Sequence, residues 1–282
     1  MGSHLISYLA QIMFAHYQHY FIRFTKEPTQ YNYYDSPFVN ALFHYIEKHN
    51  DRLLHRVKQH MMVSDYRESP IDNRDDLIHV STTVLQNIKT DFITFFQNHI
   101  YTDVKPYFTR LSMKYHLPFD IDKTILVHLR LDDVAHYPDY DGRWCCEYYK
   151  HKIQQNEPCV LEFFDVMNHQ APLSKPKLDR VLQKAMSDFP DYKVVLLTSP
   201  GSDTTRFGYD YDVIKSDDAS ADLYYLTMCK VAVLSRSTFA LSAMFFNPEK
   251  TKTYVPLWGH FVACGLDTIY DKNDMSKMEY FT

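Results

Sequence analysis

Apolar residues recur at three- and four-residue spacing along most of the first 113 positions, most clearly over residues 38–49 and 77–99. That is the period of helices with one buried face. Residues 26–37 and 64–76 mix Pro with Asn, Asp and Tyr, break the pattern, and read as loops. The first apolar run, residues 5–15, is interrupted by Ser7 and Gln11 and followed by His16 and His19. It falls well short of the roughly 20 apolar residues a membrane span needs, so a buried amphipathic helix is expected there.

From Lys123 the pattern changes to short β-branched runs that alternate with helical stretches. Strands are expected at residues 124–131 (TILVHLRL), 193–198 (KVVLLT), 211–214 (YDVI), 231–235 (VAVLS) and 251–255 (TKTYV). Helices are expected at residues 145–155, 175–188, 219–229 and 238–246. Strands alternating with helices predict an α/β fold, with a parallel sheet, right-handed crossovers and helices on both faces. The chain therefore divides into an α-rich region, 1–120, and an α/β domain, 121–282. A length of 282 residues agrees with about two modest domains at roughly 150 residues each.

Composition narrows the chemistry. With 45% hydrophobic and 23% charged residues the chain is an ordinary globular sequence rather than a disordered one. Its net charge of −5 lacks the basic footprint of a nucleic-acid binder. Six glycines, with no G-x-G-x-x-G and no G-x-x-x-x-G-K-[ST], leave out the standard dinucleotide and P-loop fingerprints. Five cysteines, none spaced C-x-x-C, predict neither a disulfide framework nor a structural zinc. The 23 Tyr and 19 Phe suit stacking surfaces for sugars or bases, although core packing is the first reading for any single ring. No basic segment precedes the first apolar run, so neither a secretory signal nor a membrane span is expected, and the sequence reads as soluble and cytoplasmic.

In parallel sheets ligands sit beyond the carboxyl ends of the strands. Those positions are polar in this chain: His128, Arg130, Asp132 and Asp133 after the first run, Ser199 to Thr205 after the second, Ser216, Asp217 and Asp218 after the third, and Ser235 to Thr238 after the fourth. Arg130 near the end of an apolar strand calls for an anionic partner, because guanidinium stays charged. A diphosphate would serve, and so would Asp132 or Asp133. Ser235, Ser237 and Thr238 precede an apolar helix, where hydroxyls and backbone N–H groups either bind phosphate or simply cap the helix. Asp217, Asp218 and Asp222 open another helix, where acidic side chains suit the dipole or accept hydrogen bonds from a base or ribose.

The segment VHLRLDD, with His128, Arg130 and Asp133, resembles the H-x-R-x-x-D motif of the fucosyltransferase-like superfamily (α1,2-, α1,6- and protein O-fucosyltransferases). KVVLLTS from Lys193, followed by SDDASADLYYLTMCKVAVLSRSTFALSAMFF, resembles that superfamily's downstream pattern of strand, acidic turn, helix and strand ending in S-x-S-T-F. The similarity covers residues 124–246. It implies a GT-B-like fold with a Rossmann-like C-terminal donor domain, 121–282, and the α-rich region 1–120 on the acceptor side, and an inverting, metal-independent glycosyltransferase that needs no cofactor. The partners implied are a GDP- or UDP-linked sugar donor and an oligosaccharide or glycoprotein acceptor.

By position, Arg130 would neutralise the donor diphosphate with His128 beside it, Ser235, Ser237 and Thr238 would meet the phosphates, and Asp217, Asp218 and Asp222 would face the base or ribose. Asp133 would be the general base, with Asp132, Asp139 and Asp141 nearby as alternatives. The chain departs from many relatives at Leu131, where they have a second Arg, at Asp132, and at Ala240 to Ala243. UDP-xylose therefore stands beside GDP-fucose as a donor. A soluble member suits a bacterial or virus-encoded enzyme.

Two rival readings remain open at this level. A metal-dependent GT-A-type transferase would use a D-x-D pair, and Asp120/Asp122, Asp139/Asp141 and Asp210/Asp212 have the spacing. A non-catalytic glycan- or nucleotide-binding module would keep the rim and lack the base. The pairs His16/His19 and His55/His60 have no evident third partner and are expected to be surface or core histidines.

Overall fold

The computed structural model describes residues 5, 9, 12, 13, 16, 36–54, 92–144, 155, 170–247, 250–258 and 277–282. The helix expected at 145–155, most of that at 77–99, and the loops at 26–35 and 64–76 lie outside the described residues.

Leu5, Leu9, Ile12 and Met13 are helical and buried, as their spacing predicts for an amphipathic helix. Helix α1 (Pro37–Leu54) buries Phe38, Val39, Ala41, Leu42, Tyr45 and Ile46 on one face. A short helix α2 (Phe92–Phe95) passes through a π-helical turn (Phe96–Ile100) into α3 (Tyr101–Lys114). Asp103 in the first turn of α3 takes an ion pair from Lys48 and a hydrogen bond with His49, tying α3 to α1.

Six strands follow: β1 (Thr124–His128), β2 (Lys193–Thr198), β3 (Asp212–Lys215), β4 (Val231–Val233), β5 (Lys252–Pro256) and β6 (Met278–Phe281). They form one all-parallel sheet in the order β3-β2-β1-β4-β5-β6. The fold is α/β with a Rossmann-like strand order. Helix α4 (Lys175–Asp188) connects β1 to β2, α5 (Ala219–Met228) connects β3 to β4, and α6 (Thr238–Phe246) connects β4 to β5. The expected strands and these three helices all appear, with ends shifted by up to three residues. The fifth helix residue pattern differs little: α5 stops one residue short of Cys229. Strand β6 has no counterpart in the sequence reading. It is four residues long, carries Glu279 at its centre and lies at the sheet edge with three of its four residues half-buried, so it lacks the continuous apolar run that marks a buried strand.

Strand residues point alternately to the two faces, and each face has its own core. Ile125, Val127, Val194, Leu196, Val231, Val233 and Tyr254 pack with the apolar side of α4, whose Leu178, Val181, Leu182 and Ala185 recur at helical spacing. Leu126, Val195, Leu197, Ala232 and Val255 face α5, α6 and the N-terminal helices. This second core is continuous from Leu5 through Phe38 and Phe96 to the sheet. Helix α6 (TFALSAMFF) is apolar almost throughout because it lies between the sheet and those N-terminal helices. Its Phe246 is the hub, with its ring 5.1 Å from Phe38, 5.1 Å from Phe96 and 5.3 Å from Phe108. Lys250, buried just before β5, donates to the carbonyls of Leu226 and Cys229 at 2.6 and 2.8 Å, and so closes the carboxyl end of α5 with a cation.

Phe246→Ala removes three edge-on ring contacts at once and should destabilise the protein by about 3–5 kcal/mol. Urea unfolding followed by far-UV circular dichroism measures this, with the loss shown as a lower midpoint at unchanged slope.

Candidate functional site

The strand order fixes where a ligand can enter. From β1 the chain proceeds outward to β2 and β3; it then crosses back and builds β4, β5 and β6 on the other side. Neighbouring strands β1 and β4 therefore send their following loops in opposite directions, and a crevice opens between their carboxyl ends. His128 is the last residue of β1, and Ser235 follows β4 by two positions. His128 Nδ1 and Ser235 Oγ share a hydrogen bond of 2.6 Å across the crevice, and both side chains are buried. Burial, helped by the Arg130 charge, presses the His128 pKa down to about 3. The imidazole is neutral at physiological pH, a hydrogen-bonding group rather than a charge.

Strand β1 is shorter than the sequence predicts, ending at His128 rather than Leu131. Leu129 still donates to the Leu197 carbonyl at 2.8 Å and accepts from Thr198 Oγ1 at 2.9 Å, after which the chain turns. Arg130 consequently stands on the rim with its side chain about one-fifth exposed (21%). Its guanidinium grips Asp133 with two hydrogen bonds, Nε to Oδ1 at 3.0 Å and Nη2 to Oδ2 at 2.5 Å, while Nη1 donates to Gln170. Partial burial works against ionisation of Asp133, but the Arg130 and Asp132 hydrogen bonds and the Arg130 charge outweigh it and hold the carboxyl below its usual range. The Arg and the Asp of the H-x-R-x-x-D motif are thus partners of each other.

Ser237 is the N-cap of α6, its hydroxyl accepting from Phe239 N at 3.2 Å, and half-buried Thr238 is the first helical residue. Between Ser235 and Ser237, Arg236 turns inward and is almost wholly buried. It donates to Asp139 Oδ1 at 2.6 Å and to the carbonyls of Ala171 and Tyr140 at 3.2 and 2.9 Å, and it stacks 4.1 Å above the Tyr140 ring. Asp139 also accepts from Ser174 N at 2.9 Å and from Lys177 Nζ at 3.1 Å. Burial raises the Asp139 pKa, but the Ser174 hydrogen bond and the Arg236 charge win and bring it down to about 2. Gly142, in the same loop, lies so close to the end of β5 that a Cβ there would be 1.8 Å from the Leu257 carbonyl oxygen. These contacts fix the loop after β1 as one wall of a cleft of about 500 Å³, lined by Asp139, Tyr140, Arg143, Ser174, Lys177 and Arg180 among others.

The acidic turn after β3 lies on the same rim, two strands from β1 and so about 10 Å away. Asp218 is the N-cap of α5, accepting from Ser220 N at 2.8 Å and Ala221 N at 3.2 Å, and its other oxygen accepts from the Tyr115 hydroxyl at 2.9 Å. Asp217 is exposed. Asp222 is half-buried in the first turn; burial, with Asp218 and Asp217 adding repulsion and Ser216 only partly offsetting it, lifts its pKa to about 7. Its Oδ1 is buried without a hydrogen-bond partner.

Among the D-x-D pairs, Asp120/Asp122 and Asp210/Asp212 lie at the amino ends of β1 and β3, away from the rim. Asp139 is taken by Arg236, Lys177 and Ser174, and Asp141 by Arg143 at 2.8 Å. Among the described residues no three His, Cys, Asp or Glu side chains are grouped to hold a metal ion, and no helix is long and apolar enough to cross a membrane. Half-buried His16 packs its ring against His99 and Phe95; His19, His55 and His60 lie outside the described residues.

No family model matches this chain, and no curated protein matches it either.

The structure brings together His128, Ser235, Arg130, Asp133, Ser237 and Thr238 around one crevice, and sets Asp217, Asp218 and Asp222 apart from them at the β3 side. The sequence reading did not single out Gln170, Arg143, Lys177, Arg180 or the inward turn of Arg236. The only signal for Arg236 was its place between two buried strand-end serines; the other four sit in segments whose spacing shows nothing of their meeting.

Asp139→Ala leaves the buried Arg236 guanidinium uncompensated and should cost about 3–5 kcal/mol in urea unfolding. The pH dependence has two acid limbs. His128 binds its proton far more readily unfolded than folded, so its contribution is complete above its ordinary value of 6.5 and is lost as pH falls toward about 3. Asp139 adds stability that is present above 3.8 and lost as pH falls through about 2. Asp222, its pKa lifted to about 7, works the other way and adds stability as pH falls from 7 toward 3.8. The His128 limb is therefore read as a difference: urea midpoints measured from pH 8 to pH 3 should fall more steeply below pH 6.5 in the wild type than in His128→Gln.

Proposed function

We propose that this protein is an inverting glycosyltransferase that takes a nucleotide-sugar, GDP-fucose or UDP-xylose in type, and transfers the sugar to an acceptor hydroxyl without a metal ion. One observation carries the reading: the residues of the H-x-R-x-x-D and S-x-S-T-F segments, far apart in sequence, converge on the crevice between β1 and β4, joined by the His128–Ser235 hydrogen bond. The resemblance of those segments to the fucosyltransferase-like superfamily supplies the reaction class, and the GT-B-like arrangement goes with it.

In this reading the leaving diphosphate lies over the amino end of α6. Backbone N–H groups there, with the Ser237 and Thr238 hydroxyls, stabilise its charge through fixed dipoles. Arg130 supplies the full positive charge. To do so it exchanges Asp133 for phosphate oxygens, and the exchange has a chemical consequence. Asp133 loses the cation that holds its pKa down, becomes a stronger base, and does so only when donor is bound. Neutral His128 donates or accepts a hydrogen bond without adding charge. Asp217 and the half-buried Asp222 face the base and ribose. The D-x-D rival is weakened by Asp139 and Asp141, whose carboxylates are already matched to Arg236, Lys177 and Arg143.

A thermal-shift panel of GDP, UDP, GDP-fucose and UDP-xylose, each with EDTA and with Mn²⁺, tests donor binding. One nucleotide series should raise Tm equally in EDTA and in Mn²⁺; no shift in either medium refutes the reading, and a shift confined to Mn²⁺ turns it to the metal-dependent rival. Arg130→Ala should lower the transfer rate by about 10²–10³-fold while the circular dichroism spectrum is unchanged. Undiminished transfer by the folded variant would remove Arg130 from the diphosphate site.

A further inference from the structure

The cleft beside the Arg236–Asp139 pair holds a cation, Arg180, that no carboxylate among the described residues matches. Its wall of loop 139–143 carries Asp139, Asp141 and Arg143; its floor is the first two turns of α4, which bring Ser174, Lys177 and Arg180. Arg236 reaches the cleft's edge from beneath. Three cations, Arg143, Lys177 and Arg180, line the cleft with Asp139, Asp141 and Thr282, and Arg236 touches it only through Asp139 and Tyr140. Both carboxylates are already satisfied, Asp139 by Arg236 and Lys177 and Asp141 by Arg143. Arg180 is exposed, and among the described residues it has no ion pair or hydrogen bond. The amino end of α4 adds the positive end of its dipole. Ser174, its N-cap residue, makes no side-chain cap hydrogen bond and turns instead toward Asp139.

Size and chemistry agree. About 500 Å³ is room for one sugar residue with its substituent, within the range of small-molecule sites. Guanidinium groups favour oxyanions of fixed geometry, phosphate and carboxylate alike. The site is joined to the crevice through one side chain, since Arg236 lies between Ser235 and Ser237 and holds Asp139 and Tyr140 of the cleft wall.

We propose that this cleft binds an anionic sugar, a monosaccharide unit carrying a phosphate or carboxylate group, with Arg180 and Arg143 as its charge-reading residues. As the acceptor subsite of the transfer reaction it rests on the transferase reading; as an anion site it stands on the cleft alone.

Titration of the full chain with D-glucose 6-phosphate, D-glucuronate, D-glucose and inorganic phosphate, followed by Tm, tests it. Glucose 6-phosphate or glucuronate should raise Tm saturably, glucose should not, and the effect should weaken with added salt. The responding probe tells phosphate from carboxylate. Arg180→Glu, a change at an exposed residue without partners among the described residues, should weaken that binding by about tenfold or more, and Arg143→Ala should weaken it as well. No shift with either anionic sugar, or a shift that both variants retain, overturns the proposal; inorganic phosphate binding as tightly as glucose 6-phosphate overturns its sugar part. Nucleotide binding separates the two readings: Arg180→Glu should keep the GDP or UDP shift, and Arg130→Ala should lose it while keeping the anionic-sugar shift.

Discussion

A buried guanidinium organises the carboxyl rim of this sheet. Arg236 comes directly after β4, in a segment whose neighbours on both sides are serines, and it is taken out of water almost completely. Such a charge persists inside a protein only with an anion and several acceptors in place. Asp139, two backbone carbonyls and the Tyr140 ring meet most of that requirement, Nε alone lacking a hydrogen-bond partner among the described residues, and all of them come from the chain that follows β1 or precedes α4. The loop after β1 is therefore positioned by a residue after β4. Without that link the crevice would have no defined far wall, Ser174 would lose its carboxylate partner, and α4 would begin from an unanchored residue.

The same rim shows how a single charged pair can serve two ends. Arg130 and Asp133 neutralise one another on the crevice side, partly open to solvent, whereas Arg236 and Asp139 do so beneath it. The solvent-accessible pair can part at modest cost when a stronger anion arrives; the buried one cannot. Stability at the rim thus rests on Arg236, three residues past β4, whereas Arg130, two residues past β1, is the one free to change partner in the proposed donor site.

The architecture was largely legible in the sequence because its signals are local. Alternating short apolar runs and helical stretches predicted β1 to β5 and α4 to α6, since burial on both faces of a parallel sheet demands continuous Val, Ile and Leu. Strand β6 escaped because MEYF at an edge needs no such run. Ser235, Ser237 and His128 were found by the rule that ligands gather beyond strand ends, which needs only strand positions. What stayed hidden is pairing at long range. Nothing local marks Asp139 as the partner of Arg236, 97 positions away, or sets Arg143 beside Arg180. For Arg130 and Asp133, three residues apart, both the ionic and the phosphate-binding readings were on view, and the observed partner is the nearer one.

The close approach of Gly142 to Leu257 bears on the kinetics of recognition at this rim. A loop seated on the end of a neighbouring strand, with no room for even a methyl group, and held from below by a buried cation, is already in its final conformation before any ligand arrives. No segment of that wall has to be ordered on encounter, so the entropy usually lost in fixing a flexible loop is absent and collision is not followed by a slow rearrangement. In the proposed anion site, selectivity at such a wall would come from fit and charge alone, and discrimination between related ligands would lie chiefly in how long each one stays.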